Sequence, residues 1–182
     1  MSARFHAACR AVCGCLLLVG GCSQAPDAAP GRCERRQQQV AVRSTGEPAI
    51  ELVGSGLTRP RVFTLAQLRG MEMKRLDHVL MRRSHAPDAI TSWQGPPLEA
   101  LLAAAGVKPG PMMLTLQAGD GYRVSCRRAE LESAIVALQD GRGCWLADMD
   151  ETCPLRLVPP EKTGNYWIAN PRRITVEPVA SE

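Results

Sequence analysis

A chain of 182 residues carries enough apolar sequence for one domain with its own core and is short for two. With 4% aromatic residues against 16 glycines and 14 prolines, that core has to be built from Leu, Val, Ile and Met and broken by many turns. The formal charge of +4 is modest and the basic residues are scattered, which leaves no electrostatic case for nucleic acid.

Residues 1–21 read as a signal segment rather than part of the fold: Arg4 and Arg10 precede a short apolar run, Leu16–Val19, followed by Gly20-Gly21-Cys22. The run is too short to span a bilayer as a permanent helix. Small residues directly before a cysteine resemble a bacterial lipobox, which implies cleavage before Cys22 and lipid on its thiol. The alternative is an ordinary signal peptide cut nearby. Acyl chains contribute about 0.8 kcal/mol per buried methylene, so a lipidated Cys22 holds the protein on a membrane. By resemblance to lipoprotein sorting in Gram-negative bacteria, Ser23 after the cysteine, in place of Asp, favours the outer membrane, with the domain facing the periplasm. Of the eight cysteines, Cys9, Cys13 and Cys15 leave with the signal and Cys22 is acylated, which leaves Cys33, Cys126, Cys144 and Cys153. Arg4 and Arg10 leave too, and the formal charge falls from +4 to +2.

Residues 22–48 are rich in Ala, Pro, Gln and Arg with hardly a large apolar side chain, and read as a tether carrying Cys33. The folded domain is expected over 49–179. IELV and RPRVF give two short strands around a glycine-marked turn, after which Thr64 and Gln67 form a capping box for a short helix that Gly70 stops. MEMKRLDHVLM reads as an extended segment and RRSHAPDAITS as a polar loop.

The stretch WQGPPLEALLAAAGV, Trp93–Val107, reads as a turn feeding an amphipathic helix about three turns long. Leu98, Leu101, Leu102 and Ala105 fall at i, i+3, i+4 and i+7, Pro97 suits the first turn and Gly106 the stop. Trp93, Gly95, Pro96 and Pro97 make a stiff lead-in that brings backbone close to a neighbour. Beyond it, MMLTLQA and the alternating Tyr122, Val124 and Cys126 form two strands across an AGDG turn. RRAELESA is a short helix, AIVAL a buried strand, Asp140-Gly141 a turn, and PLRLVPP, YWIA and RITVEP the closing strands. The sum is a mixed α+β domain, predominantly β, with a few short helices around one core.

Taken together, VGSGLTRPRVFTLAQLRG, WQGPPLEALLAAAGV, GDGYRVS, AIVALQDG and PLRLVPP with the closing RRITVEP resemble the oxidoreductase molybdopterin-binding domain of the sulfite oxidase superfamily, in a small single-domain bacterial form. The runs keep that family's order from Val53 to Glu177. The resemblance implies a predominantly β, sulfite-oxidase-like fold with a molybdenum–pterin cofactor in a central pocket. Trp93 and Gly95 would then lie at the cofactor edge, and Arg156 would meet its phosphate or pterin, since a planar guanidinium gives paired, charge-assisted hydrogen bonds. Active relatives also supply a cysteine thiolate to the metal from the segment before the W-x-G run, a soft donor that molybdenum requires. In this chain that segment, MEMKRLDHVLMRRSHAPDAITS, holds His78, Met81 and His85 and no cysteine. The family's basic residue in the last conserved strand is replaced by NYWIA, and its N-terminal histidine-containing loop has no counterpart.

His78 and His85 stand as pocket-wall candidates against the plainer reading of one strand and one solvated loop histidine, with no carboxylate or cysteine at metal-ligand spacing beside them. Cys144 and Cys153 bracket WLADMDET and are the preferred disulfide, with Cys126 as an alternative partner; the plain reading is a loop staple, and no C-x-x-C marks a redox pair. Arg127-Arg128 and Arg172-Arg173 read as solvated faces, and Asp120 and Asp148 suggest no catalytic role. Three functions remain open: a membrane-tethered binding or sensing module that takes a periplasmic protein or a small anionic ligand, an active molybdopterin-dependent oxidoreductase with non-standard metal ligation, and a structural envelope lipoprotein.

Overall fold

The computed structural model describes residues 48–83, 87–162 and 164–179. The signal segment, Cys22, the tether with Cys33 up to residue 47, and His85 lie outside the described residues.

The first strand, β1 (Pro48–Val53), pairs antiparallel with β2 (Arg61–Thr64) and parallel with the last strand, β10 (Pro171–Pro178), in a register that sets Leu52 beside Ile174. With β5 (Met112–Ala118) and β6 (Arg123–Arg127) they form a five-stranded sheet ordered β2-β1-β10-β5-β6. On β5 every second residue from Met112 to Ala118 is buried, the period of two that a sheet with one face on the core requires. Gly54 makes the parallel β1–β10 pairing possible: its φ is +117° and a Cβ there would lie 2.1 Å from the carbonyl oxygen of Val176.

Helix α1 (Leu65–Arg69) starts at the expected capping box, in which Thr64 Oγ1 accepts from the Gln67 amide at 3.2 Å and Gln67 Oε1 accepts from the Thr64 amide at 3.0 Å. Helix α2 (Leu98–Ala104) buries Leu98, Leu101 and Leu102 as the spacing predicts. It has 7 residues, fewer than the three turns expected, because Ala105 and Gly106 already leave the helix and Gly106 takes φ +71°. The carbonyls at and just past its end are satisfied from β2 and the preceding turn: Arg61 Nη1 donates to Ala104 O at 2.6 Å and Thr58 Oγ1 to Gly106 O at 2.7 Å.

A second layer holds β3 (Lys74–Met81), β4 (Ala89–Gly95) and the short β8 (Gln139–Asp140), and a third pairs β7 (Ile135–Ala137) with β9 (Arg156–Val158). Two expectations are corrected here. Ala89–Gly95 is a strand rather than the end of a loop and a turn, because the β-branched Ile90 and Thr91 pair with Leu80 and Val79. YWIA is not a strand: Gly164–Tyr166 forms a 3₁₀ turn, leaving a single bridge between Ala169 and Arg156. The segment after Cys144 forms a short helix, α3 (Leu146–Met149).

The apolar residues form two clusters. The larger lies under the five-stranded sheet and holds Leu52, Leu114, Leu116, Ile174 and the α2 leucines. The smaller comprises Val79, Met81, Ile135, Ala137, Val158 and Trp167, with Leu76 and Trp93 packed against it. Strand β7 separates the two, sending Val136 into the larger cluster and Ile135 and Ala137 into the smaller, as alternation along a strand requires.

Candidate functional site

The site region is built from β3 outward. Strands β3 and β4 pair Leu76 with Trp93 and then, after a register shift, Val79 with Thr91. The extra length is taken up at His78, which adopts φ +56° and donates its amide to Ser92 Oγ at 3.2 Å. Such a bulge re-aims the residues that follow it, and Val79 and Met81 turn into the smaller cluster while His78 is left exposed. On the same outer face Asp77 is held below the usual carboxylate range chiefly by its hydrogen bond with Arg75.

Trp93 and Arg156 are brought together. The Arg156 guanidinium lies 5.2 Å above the Trp93 ring, the indole N–H donates to Thr91 Oγ1 at 2.9 Å, and Thr91 Oγ1 donates to Val79 O at 3.3 Å. Arg156 therefore stacks on the indole, a contact worth about 0.5–2 kcal/mol. Gly95 reveals what its stiff segment approaches. A Cβ there would lie 2.0 Å from Val136 O and 2.6 Å from Ala137 Cα, so the neighbour is the β7 backbone. Around that contact Leu138 N donates to Gln94 O, Val136 N to Pro96 O and Leu98 N to Ala134 O, each at 2.9 Å.

At the far end of β3 the chain borders a cleft of about 390 Å³ lined by Met81, Arg82, Arg83, Tyr122, Gly164, Asn165 and Trp167. Gly164 lets the 3₁₀ turn close against β3, since a Cβ would fall 2.0 Å from Arg82 O. Tyr122 Oη donates to Asn165 O at 3.0 Å and Trp167 Nε1 to Lys162 O at 3.2 Å, which pins both rings. Asp88 Oδ1 accepts from the Arg83 amide at 3.1 Å, and Arg83 Nε points to Met81 Sδ at 3.4 Å. Sequence reasoning did not single out Arg82, Arg83 or Tyr122. The available signal was two adjacent cations directly after a strand that ends on a buried methionine.

The cysteines depart from expectation. Cys126 and Cys153 are free thiols, so the bridge between Cys144 and Cys153 does not form; Cys144 is disulfide-bonded, to neither of them. The residues between 144 and 153 include helix α3, and Cys153 Sγ faces Leu155 O at 3.8 Å. Cys126 is buried in the larger cluster, where burial first and Glu130 second push its thiol up to about 11. The two arginine pairs are partly engaged: Arg128 pairs with Glu99 and Arg173 with Glu51. Asp120 Oδ1 accepts from the Tyr122 amide at 2.9 Å, the turn role expected of Asp-Gly.

These residues do not fit a thiolate-ligated molybdenum. Strands β3 and β4 contain no cysteine, Cys126 is held as a neutral thiol in the other core, and Cys153 is turned to a carbonyl. Among the described residues no group of three or more His, Cys, Asp and Glu side chains is placed to hold a metal ion. The two site candidates best placed for a pterin, Trp93 and Arg156, use a ring face, the indole N–H and the guanidinium face on one another and on Thr91.

The domain is sheet-rich, with a few short helices, and has the sulfite-oxidase-like fold expected of its motifs. Among solved structures it is similar to the sulfane dehydrogenase SoxCD from Paracoccus pantotrophus, with a TM-score of 0.61 and 22% identity over 73% of this chain. The match covers 39% of that longer chain, so the present chain spans well under half of its length. No protein-family model and no curated protein matches the sequence.

Proposed function

We propose that the protein is a lipid-anchored module of the bacterial envelope that uses the sulfite-oxidase-like fold for binding rather than for molybdenum chemistry. The single observation behind this reading is the donor set at the expected metal position. The segment before Trp93 offers a main-chain bulge, an exposed His78 and two arginines, where a soft anionic ligand is needed. Anchoring rests on Cys22 and on a tether long enough to hold the domain clear of the bilayer.

The test is metal and pterin analysis of the full chain purified from a host that makes the cofactor. Less than a tenth of an equivalent of molybdenum is the expected result, and one equivalent overturns the reading. Cys22→Ser is expected to move the protein from the membrane to the soluble fraction; retention on the membrane contradicts the lipid anchor.

One observation favours the rival oxidoreductase reading: Cys153 is a free, partly exposed thiol three residues before Arg156. That reading requires bound molybdenum and pterin that disappear in Cys153→Ser. Protein that is colourless and pterin-free before the substitution excludes it.

A further inference from the structure

Four of the described arginines form ion pairs with carboxylates: Arg75 with Asp77, Arg128 with Glu99, Arg142 with Asp140 and Arg173 with Glu51. Arg82 and Arg83 have no such partner among the described residues, and they stand side by side on the wall of the 390 Å³ cleft. The cleft wall carries no carboxylate; Asp88 and Asp120, which contact lining residues, each use an oxygen on a main-chain amide, of Arg83 and of Tyr122. Two arginines consecutive in sequence, neither ion-paired to a carboxylate among the described residues, give the wall of this concave, partly apolar cleft a positive charge that an anion would offset.

The remaining polar groups narrow the ligand further. Tyr122 Oη and Trp167 Nε1 both donate to main-chain carbonyls, so the pinned rings offer apolar surface, while the guanidinium groups, apart from the Arg83 Nε aimed at Met81 Sδ, supply the N–H donors. The volume falls in the range of small-molecule sites, which begin near roughly 300 Å³.

We propose that this cleft binds a small organic oxyanion, a carboxylate or sulfonate, with its charged head on Arg82 and Arg83 and its apolar body against Trp167 and Met81. This deepens the binding-module reading, and it fails separately from it, because anion affinity and molybdenum content are independent measurements.

The experiment is calorimetric titration of the full chain at low ionic strength with two probes, benzenesulfonate and inorganic sulfate. Benzenesulfonate is expected to bind saturably at one site and more tightly than sulfate. Arg82→Gln with Arg83→Gln is expected to weaken benzenesulfonate at least about tenfold, the usual scale for loss of a charge-assisted contact. Trp167→Phe should weaken benzenesulfonate while leaving sulfate unchanged. A second measurement needs no variant: benzenesulfonate should slow phenylglyoxal modification of Arg82 and Arg83 relative to Arg75, read by peptide mass. Absence of saturable binding, affinity unchanged in the double variant, or equal modification of all three arginines with and without the probe would overturn the proposal.

Discussion

The two apolar clusters on either side of β7 differ in what builds them. The larger is mostly aliphatic, with Phe63 and Met112 among its members, and follows largely from strict periods: alternate residues of β5, the i, i+3, i+4 leucines of α2 and the paired β1 and β10. The smaller mixes Val, Ile and Ala with Met81, Trp167 and the stacked Trp93–Arg156 pair, and its members reach one another through a bulge and a 3₁₀ turn. The difference teaches that periodic sequence sets the fold here, while breaks in the period place the candidate site. The cleft arginines follow β3 of the second layer, and the Trp93–Arg156 stack joins the second layer to the third.

Substitutions can separate the two layers. Leu102 is fully buried in the larger cluster, so Leu102→Ala should cost about 2–5 kcal/mol in urea unfolding and leave the Trp93–Arg156 contact in place. A loss near zero would show that this core does not carry the stability. Gly95→Ala strikes the wall between the clusters, where the new Cβ meets Val136 backbone that cannot step aside. Its expected cost is about 1–3 kcal/mol with the loss appearing in one cooperative transition; two separate transitions would show that the layers fold independently.

Arg156→Ala removes one face of the indole stack and should cost about 0.5–2 kcal/mol. It should also change the near-ultraviolet signal of Trp93, and Arg156→Lys should restore part of both. The smallest effect is expected in acid. Burial raises the Asp140 carboxyl, but its bonds with Arg142 and with the Arg142 and Cys144 amides outweigh that and hold it below the usual range. A depressed folded value means the contribution is present above the unfolded value near about 3.9 and is lost as pH falls through the lower folded value. Urea midpoints should therefore decline below about pH 4 in the wild type and more gently in Asp140→Asn; parallel curves would remove Asp140 from the account.

Much of the fold was legible in residues. Thr64 and Gln67 announce the α1 cap because capping is local, and the α2 leucines announce their face because the period is local too. The turn after Ala118 and the strand pair around it follow from Asp-Gly between alternating runs. What was not legible depends on contacts distant in sequence. Gly95 reads as a residue that lets something come close, but that the something is Val136 is decided by β7, some forty positions later. The bulge at His78 leaves no composition signal, and of the strand-forming YWIA run tertiary packing puts Tyr166 at the end of a 3₁₀ turn and leaves only Ala169 in a bridge. That Cys144 and Cys153 bracket WLADMDET does not show the helix α3 that forms between them, and Cys153 stays a free thiol.

The central claim is that the fold is kept and the molybdenum ligand is not. Molybdenum quantified against protein in the full chain, purified from a host that makes the cofactor, tests it directly. The account predicts less than a tenth of an equivalent with no pterin fluorescence after oxidation, and one equivalent of molybdenum with a matching equivalent of pterin would contradict it.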